Sequence, residues 1–223
     1  MASTTIDIET ELSAVNSILG AIGQSPVTTL GTITTGTSTY DNPEIAFIYN
    51  LLRDANVDVQ NEGWHFNKED NIKYTPDSNG KIGIGDDILQ MDVTKGWSER
   101  HYDVVRRETT NTSNNKREAF LYDKLDHTFD WSDVDSIYLD VTKLLPFEDL
   151  PSTFRRYITA KAATTAATQL VGNPQLVQLL NQQEAQLRAT CVEYECNQSN
   201  NTMFDLPDDS TYRAYTPWRS LRR

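Results

Sequence analysis

In the stretch "DVQNEGWHFNKED", residues 58 to 70, Glu62, His65, Glu69 and Asp70 flank a Gly-Trp pair. Carboxylates beside an imidazole are the groups from which proton-transfer and metal sites are built. The spacing argues against a metal site. None of His65, His101 and His127 sits in an HExxH pattern, and Glu62, His65 and Glu69 straddle a predicted helix end, without the single face that ligates a metal. Carboxylate pairs recur at Asp86 and Asp87, at Asp130 with Asp133 and Asp135, and at Asp208 and Asp209. Glycoside cleavage needs two carboxyls about 5 to 10 Å apart with unequal proton affinities, set across a sugar-binding cleft. Asp130 with Asp133 is the best candidate, because Phe129 and Trp131 offer stacking surfaces, although an acidic chain supplies such pairs in excess. No GxSxG occurs, and "GKIGIG" lacks both the P-loop Lys-Ser/Thr pair and the Rossmann spacing, so it reads as a turn leading into a strand. Cys191 and Cys196 form no CxxC pair; about 140° apart around a helix, they read as free thiols.

The elements that would hold these residues follow from periodicity. Ile8, Leu12, Val15, Leu19 and Ile22 advance by fours and threes as one helical face, closed by Gly23 and Pro26. A second helix opens at "DNPEI", with Asp41 or Asn42 as cap, Pro43 in the first turn and Glu44 at the positive helix end. Its stripe is Ile45, Ile48, Leu52, Ala55 and Val59, with Gly63 as the stop. From Trp64 the period changes. "KIGIGDDILQMDV", "HYDVVRRET", "REAFLYDKL" and "DSIYLDVTKLL" are short apolar runs between turn clusters, the pattern of antiparallel strands, and "TTNTSNNK" is a loop. Frequent charges in this tract predict a thin sheet with one wet face. A third helix carries Phe154, Ile158, Ala162, Thr165 and Gln169; "GNP" at 172 to 174 closes it and opens a fourth with Leu176, Leu180, Leu187, Cys191 and Tyr194. Gln183 falls in that last stripe and must be hydrogen-bonded or face a wetter seam. The predicted fold class is α+β: a four-helix bundle formed by both chain ends, an inserted antiparallel β-rich domain and an extended C-terminal tail. Residues 1–63 and 150–200 form the two halves of the bundle, 64–149 the insertion and 201–223 the tail, and both crossings between bundle and insertion lie side by side. Trp64 and Phe66, at the handover, are the predicted interdomain packing residues.

Charge bounds the partners. The formal charge is −12, which disfavours non-specific attraction to nucleic acid or anionic membrane over most of the surface. The N-terminus has no basic segment followed by an apolar one, and no run approaches the ~18 apolar residues of a membrane span, so no export signal or membrane anchor is predicted. Residues 208 to 223 differ in sign, with two acids against four arginines. There Tyr212, Tyr215 and Trp218 interleave with Arg213, Arg219, Arg222 and Arg223, a composition suited to docking on a protein or, alternatively, to binding nucleic acid. Arg155 and Arg156 open the third helix, where the helix dipole offers them nothing. Local pairing with Glu148 or Asp149, a bridge to a neighbouring subunit, or contact with a phosphate would compensate them, and Glu62 is a further candidate for such an intersubunit contact.

Taken in order, "ELSAVNSILGAIGQSPVTTL", "RDANVDVQNEGWHFN", "LPSTFRRYITAKAA" and "QLVGNPQLVQLLNQQEAQLRA" resemble the tail tubular protein A family, the head-to-tail adaptors of short-tailed bacteriophages. One departure is Thr164, Thr165, Ala166 and Ala167, where members often keep an Arg after the "KAA" segment. The resemblance implies a structural virion protein without enzymatic activity or cofactor, made in the host cytoplasm and carried at the portal vertex. It implies a homo-oligomeric, twelvefold ring between the portal protein and a tubular protein B-like nozzle, with tail fibres as further partners and viral DNA passing through the channel. The C-terminal tail would engage the portal. A glycan hydrolase and a basic-tail nucleic-acid binder remain the alternative functions.

Overall fold

A computed structural model describes residues 10–31, 40, 42–94, 102–110 and 117–198. Helix α1, Glu11–Ala21, is capped by Thr10, whose hydroxyl accepts from the Ser13 amide, and it buries Ala14, Val15, Ile18 and Leu19. Ile8 lies outside the described residues. Helix α2, Pro43–Asn61, starts under the Asn42 side chain, which accepts from the Glu44 amide, and the predicted stripe from Ile45 to Val59 is buried. It ends where Gly63 takes a left-handed φ of 73°.

The chain then turns through Trp64–Asn67 into β1, Lys68–Tyr74, followed by β2, Ile88–Val93, β3, Val104–Thr110, β4, Arg117–Asp123, and β5, Ile137–Lys143. Strand β5 is central between β1 and β2 in a three-stranded antiparallel sheet, and β3 with β4 forms a separate two-stranded ribbon. "KIGIGDDILQMDV" is not one strand. Ile82 and Ile84 run along β4, joined to Leu121 and Ala119 by main-chain bonds of 2.9 Å, and a turn at Gly85–Asp87 separates them from β2. Ile82, Ile84, Ile88, Val93, Val104, Leu121, Trp131, Ile137, Leu139 and Val141 close a β-side core.

Helix α3, Ser152–Ala166, is the centre of the helical part and packs against α1, α2 and α4, which spans Pro174–Gln198. A π-helical turn at Ala167–Val171 ends α3, with left-handed Gly172 as its cap. The predicted stripe is corrected here: Phe154, Ile158 and Ala162 are buried and the face continues by fours to Ala166, while Thr165 is half-buried and Gln169 is exposed. Gln169 lies within the π turn, which holds more residues than an α turn and rotates the face out of register. In α4 only Cys191 is fully buried, while Leu176, Leu180, Leu187 and Tyr194 are half-buried and Gln183 is exposed.

Candidate functional site

Among the described residues, a buried polar network lies where the chain crosses between the helical and β-side cores. Gln60, in the last turn of α2, is fully buried. Its Oε1 accepts from the Leu145 amide at 2.8 Å, and its Nε2 donates to the Leu145 carbonyl and to Asn56 Oδ1, both at 2.9 Å. An amide side chain thus pairs with main chain as a neighbouring strand would. Asn67, also buried, donates through Nδ2 to the Gln60 carbonyl at 2.8 Å and the Lys143 carbonyl at 3.0 Å, and its Oδ1 accepts from the Trp64 amide at 2.8 Å. The outgoing crossing at 60–67 and the returning one at 143–145 are therefore stitched side by side, and both amides use donor and acceptor sides.

Aromatic rings secure the same turn from the helical side. Trp64 donates through Nε1 to the Val59 carbonyl at 2.7 Å and meets Phe154 edge-on at 4.8 Å between centroids; Phe66 stands 4.6 Å from the same ring. Both were predicted to pack between bundle and insertion. Both pack against the helical core, and Trp64 is one of its buried members.

The ionisable residues of the opening stretch do not converge on a centre. Glu62 takes both guanidinium nitrogens of Arg188 in α4, at 2.9 and 3.1 Å, and Arg188 also donates to the Tyr157 hydroxyl at 3.1 Å. The Tyr157 bond, then the Glu62 charge, hold Arg188 above its ordinary proton affinity. Glu69 pairs with Lys143 at 2.7 Å, which raises the lysine's pKa through that bond. The His65 amide donates to Glu195 at 2.8 Å. Glu62 thus has a partner in its own chain. Arg155 is buried, with Nη1 3.5 Å from the Glu148 carbonyl. Arg156 is exposed and makes no ion pair among the described residues. The tail residues Tyr212, Arg213, Tyr215, Trp218, Arg219, Arg222 and Arg223 lie outside the described residues, as does His101.

The surroundings of Asp130 differ from those a general acid needs. Asp130 accepts from the Ser132 hydroxyl and amide, and these bonds hold its carboxyl below the usual carboxylate range, the opposite of a general acid's requirement. Trp131 is 2% exposed and donates through Nε1 to the Leu121 carbonyl at 3.1 Å, so it offers no stacking surface. Phe129 packs edge-on against Tyr122. Asp86 is exposed and pairs with Arg106 at 3.1 Å. Among the described residues no group of three or more His, Cys, Asp and Glu is placed to hold a metal ion, and no helix is long and apolar enough to cross a membrane.

The change of period after Gly63 is readable in the sequence, and α2 does end at Asn61 with β1 beginning at Lys68, but Gln60 and Asn67 carry no such signal. The available signal was position: Gln60 follows Val59 into the buried side of α2, and Asn67 immediately precedes the first strand.

The chain is thus α+β, and its buried Gln60 and Asn67 amides are occupied by its own main chain and side chains where two cores meet. The family model described as tail tubular protein matches residues 12–201, and the chain belongs to that family. It is a structural component of a bacteriophage tail. No curated protein matches the chain.

Proposed function

We propose that this chain forms the head-to-tail adaptor ring of a short-tailed phage, seated between portal and nozzle and lining part of the DNA ejection channel. Family membership supports the tail location. The observation that carries the ring is α4: a helix of 25 residues with Cys191 as its single fully buried residue and Leu179 and Val192 exposed. A monomer gains little from leaving such a face in water, whereas a neighbouring copy would cover it. In this reading residues 1–63 and 150–200 form one four-helix bundle, completed on its α4 side by the next subunit, and 64–149 is an inserted β-rich domain directed to the nozzle and fibres. The stitched crossing at Gln60 and Asn67 would keep the two parts in fixed orientation during assembly. Residues 201–223 dock on the portal through Tyr212, Tyr215, Trp218 and their arginines.

Negative-stain imaging of the full chain mixed with its portal is the test. Rings of twelve capping the portal are expected, and truncation after Ser210 should abolish portal capture while leaving the thermal unfolding temperature unchanged. Persistent monomers without portal binding would overturn the reading.

A further inference from the structure

From Ala162 to Gln183 the chain runs 22 residues without an Asp, Glu, Lys, Arg or His, although charged residues make up 23% of the protein. This neutral tract is the corner between α3 and α4, and its tip exposes Leu170, Val171 and Leu179 at 44, 43 and 64%. Away from that tip a groove of about 210 Å³ opens between α1, α3 and α4, lined by Ala21, Arg156, Ala160 and Leu187 together with Ala163 and Leu180 from the flanks of the same tract.

Two unmatched charges distinguish these places. The last turns of α3 and of its π extension hold no basic residue, so the carbonyls at that end carry their negative partial charge without a cation from the same turn. Arg156, in the first turns of the same helix, has no carboxylate partner among the described residues. A cationic side chain, arginine among them, can hydrogen-bond helix C-terminal carbonyls. Within one chain the two cannot meet, because the fifteen residues between Arg156 and Val171 span roughly 22 Å of helix. Between copies they can.

Resting on the ring reading above, we infer that the neutral α3–α4 corner of one copy seats in the α1–α3–α4 groove of the next, with Leu170 and Val171 on its apolar lining and Arg156 facing the corner's carbonyls. Tip and groove are different patches of the same surface, so the contact is head-to-tail and propagates around a ring. A chain of net charge −12 also needs a neutral place for two like copies to touch, and both patches lack acids.

The test uses the full chain in a Cys196→Ser background, since Cys196 is exposed and Cys191 buried. Ala160→Cys protein mixed with Leu170→Cys protein should give a covalent dimer on mild oxidation, and the double variant a ladder of oligomers. Leu170→Glu and Arg156→Glu, both at exposed positions, should each raise the concentration at half assembly about tenfold or more with unchanged circular dichroism. Wild-type rings with neither cross-link nor assembly defect would overturn this contact while leaving the ring intact. Loss of portal capture alone, with rings unaffected, would assign the corner to the portal and overturn it equally. Wild-type chains that stay monomeric beside the portal would overturn the ring reading and this one together.

Discussion

At the scale of single residues, the molecule depends on side chains that imitate backbone. Gln60 gives Leu145 both halves of a strand-like pairing in a fully buried setting, so Gln60→Leu keeps the bulk but strands an amide and a carbonyl. A loss of roughly 2 to 4 kcal/mol is expected from two buried unsatisfied groups, measured by urea denaturation. A change under about 0.5 kcal/mol would mean that water replaces the amide and that the joint is wetter than its burial implies. Asp77 does a similar job in the open. Its carboxylate accepts from the Lys81 and Asn79 amides, both at 2.8 Å, and chiefly the Lys81 bond holds its pKa below the ordinary value. A depressed folded pKa means that the carboxylate supports the 77–81 turn at every pH above the unfolded value, about 3.9, and that this support is lost as pH falls through the folded value. Near-neutral pH should therefore leave the turn closed, and amide shifts of Asn79 and Lys81 should move together only on strong acidification. Shifts indifferent to Asp77→Asn would remove the carboxylate from that role.

At the scale of elements, α2 and β1 differ in how far the sequence specifies them. Helix α2 was legible to its cap and stop, because Asn42, Pro43, the Ile45–Val59 stripe and Gly63 all point the same way. Strand β1 was not legible. "KEDNIKY" carries four charged residues, and it is a strand because β5 supplies main-chain partners while only Ile72 and Tyr74 lean on the core. Propensity has little authority over an edge strand whose pairing is tertiary. The bulge at Asn71, left-handed at φ 60° with its amide bonded to Asp140, has no local signal beyond an Asn that tolerates the conformation. The π turn escaped notice for a related reason, since small residues from Ala162 to Ala167 read equally well in several helical registers. At the joint, the large aromatic was evident and its direction was not: Trp64 turns to α3 because Val59 offers its indole a carbonyl there and Phe154 a ring edge. Trp64→Ala should cost roughly 3 to 5 kcal/mol in chemical denaturation. Trp64→Phe, which keeps ring contact and loses the Val59 bond, should cost about 1 kcal/mol. Equal losses for the two would show that the hydrogen bond, and not the packed ring, fixes the turn.

At the scale of the whole molecule, two cores share one stitched crossing, and the exposed surface divides by charge. Ion pairs such as Glu62–Arg188, Asp58–Lys161 and Glu69–Lys143 lie along the helical part and the crossing, while the α3–α4 corner carries none. Copies of a −12 chain repel one another at long range, and that repulsion must be overcome before any short-range apolar contact forms. Raising monovalent salt from about 0.01 M to about 0.15 M shortens the screening length from roughly 30 Å to roughly 8 Å. The repulsion spans the former distance and not the latter, whereas burial of Leu170, Val171 and Leu179 is insensitive to this change. The concentration at half assembly should therefore fall as salt rises over that range, measured by mass photometry or sedimentation. If assembly weakened with salt instead, the copies would be held mainly by ion pairs, and a neutral corner seated in an apolar groove could not be the dominant contact.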